Sequence, residues 1–258
     1  MLTGGQPPEE TPFVLKTFLA GGAFGQVYSA LDEKTGTEVA VKLERYDAKY
    51  RQLYLEFGFY QRLGRECPYA PEILFFGQVA NAWTALVMEM LGPSLKRVQE
   101  LLGGALSVQC TTAVAIRLLR HLADFHRHGL IFRDVKPDNF LLGPPASGRA
   151  HSLYLIDLGL AKNWRSEADG SHIPFTEGKP LTGTLAYVSL NMHRGFELSR
   201  RDDLECLLYM LIHLGTGSLP WFAGDRQVGK DFARKMAYYG EKEKRKKKKG
   251  KVAGLKQI

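Results

Sequence analysis

Cysteine is scarce in this chain. Cys67, Cys110 and Cys206 are the only three among 258 residues; they stand far apart, are odd in number, and lack the short paired spacing that zinc ligation or a redox dithiol requires. A disulfide-stapled miniature is excluded, and a reducing compartment fits best. Long hydrophobic runs are missing as well. The longest apolar stretch of the second half, residues 206–212, is far too short to cross a bilayer. The opening MLTGGQPPEE has neither the basic segment nor the apolar core of a secretory leader. Neither secretion nor a transmembrane segment is expected. Net charge is also sparse outside one place. Residues 241–251 (EKEKRKKKKGK) carry eight basic and two acidic side chains and supply +6 of the formal net charge of +8. The basic character therefore belongs to a tail, and no specific nucleic-acid groove is expected elsewhere.

What is present is the composition of a soluble globular protein, 45% hydrophobic and 24% charged, long enough for one large domain or two packed lobes. Residues 13–43 read as a twisted antiparallel run, with turns marked by Gly21, Gly22, Gly25 and Lys34–Gly36. Tyr50–Leu63 reads as a helix closed by Gly64 and Pro68. Residues 72–77 and 83–88 then return to strand-like composition. Beyond Gly92 the texture turns helical: Ser107 can cap a helix over about 108–128, on which Leu118, Leu122 and Phe125 recur at helical spacing. The expectation is a bilobal α+β architecture, a small β-rich lobe joined through residues 89–92 to a larger, mainly helical one.

Three motifs carry chemistry. Residues 19–27 (LAGGAFGQV) form a Gly-rich strand-turn-strand in which Gly22 and Gly25 let backbone N–H groups approach phosphate oxygens; alone, such a hairpin is more often only a turn. VAVK at 39–42 then places Lys42 at a strand end, with Glu56 on the following helix, a pairing suited to the α- and β-phosphates of a nucleotide. IFRDVKPDN at 131–139, followed by LIDLG at 155–159, is the most specific. Asp134 can accept a hydroxyl proton, Lys136 can neutralise a transferring phosphoryl group, and Asn139 and Asp157 offer hard oxygen ligands for Mg²⁺. Singly, each of these residues reads as a cap, a turn or a surface charge. Their joint order argues for phosphoryl transfer.

With these motifs the sequence resembles a eukaryotic protein kinase, and more narrowly the casein kinase 1 family. The narrower resemblance rests on MEMLGPSL (88–95), KPDNFL (136–141), LAK (160–162), HIP (172–174), LTGT (181–184), SLN (189–191), SRRDDLE (199–205) and GSLPW (217–221). It implies the bilobal protein-kinase fold: an N-terminal extension over 1–12, a kinase domain over 13–240 and a lysine-rich tail over 241–258. Within the domain the N-lobe would cover about 13–88, the hinge 89–92 and an incomplete C-lobe 93–240. It further implies that Leu19, Val27, Ala40 and Leu141 sandwich adenine, residues whose composition alone reads as ordinary core. Met88 would be the gatekeeper, and the backbone of Glu89 and Leu91 would read the adenine edge. Lys42 and Glu56 would pair to orient the phosphates. Asp134 would be the catalytic base with Lys136 as its partner, Asn139 and Asp157 the Mg²⁺ ligands, Thr184 a bridge in the catalytic group, and Asp203 an anchor of the catalytic-loop backbone. The activity implied is ATP-dependent phosphorylation of Ser and Thr hydroxyls in protein substrates, in acidic context.

Some positions depart from the family pattern. Ala20 stands at the first glycine of the loop, Phe132 replaces a His or Tyr, and Leu158 replaces a Phe; none removes a catalytic atom. Ala186 replaces an arginine of the pocket that reads primed substrates, and the chain turns lysine-rich where further helices normally follow, which would uncover part of the helix near 204–214. A nucleotide-binding pseudokinase or scaffold is the rival reading, and a small-molecule kinase of related fold a third. The lysine run reads either as a solvated tail or as an address for a nuclear import receptor, so the expected location is cytoplasmic, nuclear or both.

Overall fold

The computed structural model describes residues 11–22, 25–64, 67–80, 82–145 and 147–221. The N-terminal extension up to residue 10 and the lysine-rich tail lie outside them. Two units emerge. The first takes the described residues up to Val98 with Arg117–Phe132 and Pro137–Asn163; the second takes Gln99–Ile116, Arg133–Lys136 and the described residues from Trp164 onward.

The first unit is built on a five-stranded antiparallel sheet of order β1-β2-β3-β5-β4, with β1 Phe13–Gly22, β2 Gly25–Asp32, β3 Thr37–Arg45, β4 Ile73–Val79 and β5 Trp83–Glu89. Period-two alternation divides its side chains. Ala30, Val39, Val41, Leu43, Ala85 and Val87 make one buried cluster, packed by Phe13, Tyr28, Phe75, Val79 and Trp83. The intervening residues point to the opposite face, where cross-strand partners place Val27 beside Lys42, Ala40 beside Met88 and Phe76 beside Leu86. Helix α1, Gln52–Leu63, lies on this second face, its Phe57 stacked on Phe76 at 4.1 Å between ring centroids. Its buried residues Leu53, Glu56, Tyr60 and Leu63 follow helical spacing, so a carboxylate sits within an otherwise apolar stripe.

Helix α1 starts two residues later than its composition suggests. Its N-cap position is Arg51, whose side chain makes no capping bond. The carboxylate of Glu44, at the end of β3, accepts the N–H groups of Gln52 (2.9 Å) and Leu53 (3.3 Å) instead, so a tertiary cap fixes where the first turn begins. Its end at Gly64 follows from a left-handed φ of 81°. Gly25 is equally constrained: its φ is 133°, and a Cβ there would lie 2.3 Å from the carbonyl oxygen of Leu43.

Helix α2 covers Leu95–Leu101 and α3 Val108–Arg127; the hydroxyl of Ser107 caps α3 by accepting the N–H of Cys110 at 3.2 Å. Short antiparallel pairs join β6 (Leu130–Ile131) to β9 (Lys162–Asn163), and β7 (Phe140–Leu142) to β8 (Leu153–Leu155). In the second unit, α4 (Leu190–His193) precedes α5 (Arg200–Thr216), which opens with a capping box between Ser199 and Asp202. On α5, Leu204, Leu208 and Ile212 are exposed, the stripe expected to lose cover. Among the described residues no helix is long and apolar enough to cross a membrane.

Within the first unit, His121 stacks on Tyr69 at 4.8 Å, and its Nδ1 is buried with no hydrogen-bond partner. Burial, aided by the charge of Arg117 and opposed by Asp124, pushes its pKa down to about 4. The unfolded chain, with an ordinary histidine near pH 6.5, therefore binds a proton that the folded chain refuses. Stability is expected to fall as pH drops from about 6.5 to about 4, and His121→Leu should flatten that part of the slope in urea titrations. Parallel slopes for both proteins would rule out His121 as the source.

Candidate active site

In the first unit, Lys42 projects from the middle of β3 toward α1. Its Nζ lies 2.7 Å from Glu56 Oε2 and 2.8 Å from Asp157 Oδ1. Burial opposes the ammonium, but the charges of Glu56 and Asp157 outweigh it and hold the Lys42 pKa above its ordinary value. For Glu56 burial dominates and raises the carboxyl pKa, with Lys42 pulling the other way. Glu56 also accepts the N–H of Leu158 at 3.3 Å, tying α1 to the loop that carries Asp157.

That loop departs from ordinary backbone. Asp157 has φ 62° and ψ 70°, a left-handed conformation uncommon outside glycine, though Asp and Asn adopt it more readily than other residues. Three contacts support it: the N–H of Leu158 on Glu56, the Gln52 Nε2 donating to Gly159 O at 2.7 Å, and the N–H of Ile156 donating to Asn139 O at 3.0 Å. The register Phe140↔Leu155 in β7–β8 puts Asn139 and Asp157 at the same end of that hairpin. One carboxylate and one amide oxygen fit Mg²⁺, which takes few protein ligands and completes its shell with phosphate and water.

Ala40 faces Met88 across β3–β5, and Val27 faces Lys42 across β2–β3. Leu19 falls at an irregularity of β1 between the pairs Phe18↔Tyr28 and Ala20↔Val27, and is half-exposed. Gly92 donates to Leu142 O at 2.9 Å, and Leu142 donates to Pro93 O at 3.0 Å, fastening the segment that follows Leu91 to β7 beside Leu141. None of Leu19, Val27, Ala40 and Leu141 belongs to the buried cluster of the sheet. Gly22 lies in the open end of the β1–β2 ribbon, where a Cβ would meet nothing within 4 Å.

In the second unit, Asp134 is buried, and Lys136 Nζ lies 2.6 Å from its Oδ2. Thr184 donates both its hydroxyl (2.9 Å) and its backbone N–H (3.0 Å) to Asp134 Oδ1. Gly183 permits this approach: at φ 87°, a Cβ would stand 2.6 Å from Arg133 O. Arg133 itself has φ 67°, and its N–H donates to Asp203 Oδ1 at 2.8 Å, so the first turn of α5 fixes the backbone beside Asp134. The SLN segment is held by the same helix. Ser189 and Asn191 donate to Asp202 Oδ1 at 2.8 and 2.9 Å, and Leu190 N–H donates to Glu205 Oε1 at 2.9 Å. Where an arginine was expected, Ala186 offers its carbonyl to Trp221 Nε1 at 2.9 Å.

The family model of the protein kinase domain matches residues 13–253. The chain belongs to the protein kinase family. Its α+β fold, a β-rich N-lobe sheet and a helical C-lobe region, is that of a kinase domain, and family membership supports protein phosphotransfer as its class of reaction. Two of the departures from the family pattern, Phe132 and Leu158, are accommodated by apolar packing. Phe132 is fully buried between the rings of Phe125 and Phe140, with centroids at 6.1 and 5.9 Å, and Leu158 is fully buried as well.

Several supporting residues were not legible in the sequence. Glu44 caps α1, Gln52 holds the Asp157 loop, Asp202 and Glu205 hold the SLN segment, and Arg149 binds Glu89 (2.7 Å) from the loop between β7 and β8. Each partner lies eight or more residues away, and only Asp202 and Glu205 fall in a motif that already drew notice.

Proposed function

We propose that this protein is an ATP- and Mg²⁺-dependent Ser/Thr protein kinase of the casein kinase 1 type. The observation that carries the reading is Lys42 held between Glu56 and Asp157, a cation secured where the family's chemistry needs one against the α- and β-phosphates. Asn139 and Asp157 would hold Mg²⁺, whose charge, when bound, offsets that of the β- and γ-phosphates. Met88 borders the adenine surface formed by Leu19, Val27, Ala40 and Leu141, and the backbone of Glu89 and Leu91 reads the adenine edge. Gly22 and Gly25 carry no Cβ, so the backbone at those two positions can approach the phosphates. The acceptor hydroxyl gives its proton to Asp134 while its oxygen bonds to the γ-phosphorus and the bond to the β-phosphate oxygen breaks, releasing ADP. Lys136 offsets charge on the moving phosphoryl group, and Thr184 fixes the carboxylate.

With Ala186 in place of arginine, acceptors in Asp- or Glu-rich context suit the protein better than primed ones, since a charge-assisted phosphate contact is missing. The kinase domain is assigned to 13–240, with the N-lobe to 88, the hinge at 89–92 and the C-lobe thereafter, flanked by the extension 1–12 and the tail 241–258. Work in the cytoplasm, the nucleus or both accords with the scarce cysteines and the lysine run.

The test is transfer of labelled γ-phosphate from ATP to casein, with and without a Mg²⁺ chelator, followed by phosphoamino-acid analysis. Mg²⁺-dependent phosphoserine and phosphothreonine are expected. ATP binding without transfer would establish the pseudokinase reading instead, and phosphotyrosine would overturn the specificity.

Arg149 bears on the same reading. Its guanidinium and the N–H of Glu72 both bind the Glu89 carboxylate, steadying the first residue of the hinge. Because Arg149 is half-exposed, the pair is weak, about 0.2–1 kcal/mol. Arg149→Ala should raise the ATP dissociation constant about 2- to 5-fold, and Arg149→Lys should recover part of it. An unchanged constant in calorimetric titration would remove the hinge role.

A further inference from the structure

Tyr60 lies on the inner face of α1, 4% exposed, and among the described residues no group meets its hydroxyl with hydrogen-bond geometry. Folded proteins seldom bury such a donor unpaired. The ring keeps company with Leu53 and Leu63 on the buried face of the helix, a packing role that phenylalanine would fill as well. The hydroxyl adds nothing to that packing and forgoes its hydration.

Its surroundings supply a reason for it. Glu56 precedes Tyr60 by four residues, which sets the two side chains beside each other on one helix face. Burial first, and then the charges of Glu56 and Asp157, hold the phenol's pKa well above its ordinary value, so the hydroxyl keeps its proton and can donate it. The Glu56 carboxylate has acceptor capacity to spare. Its two oxygens offer about four acceptor positions, and they receive Lys42 Nζ at 2.7 Å and the N–H of Leu158 at a long 3.3 Å. At 1% exposure, Glu56 cannot turn to bulk water for a donor it loses.

Lys42 is the donor most open to competition, because its ammonium is already divided between Glu56 and Asp157. Phosphate oxygens would draw it further from Glu56. The geometry points to Tyr60 as a positioning residue, whose hydroxyl donates to the Glu56 carboxylate when the Lys42 ammonium is drawn toward another anion. The exchange needs side-chain rotation alone, since both groups ride on α1. Glu56 also accepts from Leu158, so a carboxylate kept in place keeps the Asp157 loop in place with it. The natural trigger rests on the reading of Lys42 as the phosphate cation; the coupling of hydroxyl to carboxylate is a property of the folded chain alone.

The test has two arms on the full chain. The first is a double-mutant cycle without nucleotide, Tyr60→Phe and Lys42→Met singly and together, read by urea unfolding. Alone, Tyr60→Phe should leave the unfolding equilibrium constant within about twofold of wild type or lower it, because the group it removes is unpaired. In the Lys42→Met background, where Glu56 needs another donor, the same change should raise that constant about tenfold or more. The second arm is calorimetric titration with Mg²⁺-ATP, which decides the matter even if Lys42→Met fails to fold. Tyr60→Phe should raise the ATP dissociation constant about 5- to 10-fold at an unchanged thermal midpoint, a split that lost packing would not produce. A tenfold loss of stability from Tyr60→Phe in the wild-type background would reveal a hydroxyl already bonded, to a water or another group. Additivity across the cycle would show it indifferent to Lys42, and wild-type ATP affinity in Tyr60→Phe would show that phosphates do not call on it. Any of these three results overturns the proposal. If the wild type itself binds no ATP, the kinase reading falls, and the cycle still decides the role of Tyr60.

Discussion

Lys42→Met is expected to reduce phosphate transfer at least about a hundredfold, the scale on which removal of one group stabilising transition-state charge is felt. The methionine keeps much of the length and apolar stem of lysine but withdraws the cation between Glu56 and Asp157. Glu56 is then left buried without its counter-charge. Breaking a buried pair this way costs about 3–5 kcal/mol when the remaining charge persists, but Glu56 has an escape, since its carboxyl pKa is already raised by burial and rises further without Lys42. A carboxyl whose folded pKa lies above its unfolded value stabilises the fold below the unfolded pKa, and that contribution is lost as pH rises through the folded one. The variant should therefore approach wild-type stability at mildly acidic pH and fall progressively behind it as pH rises, whereas turnover stays low throughout. Wild-type turnover in Lys42→Met would sink the mechanism. A stability deficit independent of pH would show that Glu56 does not take up the proton.

The contrast between what the sequence disclosed and what it hid has a physical pattern. The β-rich start, the boundaries of β5 and α3, and the Gly-rich ribbon were readable because local rules govern them: alternation, a Ser cap, glycines where the backbone is left-handed or crowded. Local rules marked Glu56 only as a helical glutamate, and its pairing with Lys42 was read from the order of the motifs and the family resemblance. Its burial comes from the β3–α1 packing, which periodicity does not encode, and a carboxylate on an apolar stripe violates the pattern that makes helices recognisable. The late start of α1 has the same origin, because Glu44 caps from another element. The positive φ at Arg133 falls on a residue type that gives no local warning, that at Asp157 on one that only tolerates it, and the two are held by partners 70 and 102 residues away in sequence. Local order was thus legible wherever a residue's neighbours in sequence determine its conformation. It was illegible where the strain of the site is supported from a distance.

Asp134→Asn should lower turnover by about a hundred- to ten-thousandfold, the range supplied by a positioned general base. The substitution is nearly isosteric, and its oxygen can still accept the two N–H and O–H donations of Thr184. What changes is the atom facing Lys136. In the wild type a carboxylate oxygen lies 2.6 Å from the ammonium; in the variant either an amide NH₂ confronts that ammonium, donor against donor, or the side chain turns and forfeits Thr184. Both outcomes remove the proton acceptor, and neither alters the chemistry of the groups assigned to the nucleotide. ATP affinity should accordingly stay within about twofold of wild type while single-turnover transfer collapses. Thr184→Val serves as the graded companion: it loses one hydroxyl donor to a charged acceptor, worth about 1.5–3 kcal/mol, but keeps the backbone N–H, so a loss of about tenfold to a hundredfold is expected. Thr184→Ser, which retains the hydroxyl, should recover most of it. If Asp134→Asn keeps turnover within tenfold of wild type, Asp134 is not the base and the proton must leave by another route; if instead ATP affinity falls as far as turnover, the residue acts through nucleotide binding rather than through the acceptor hydroxyl.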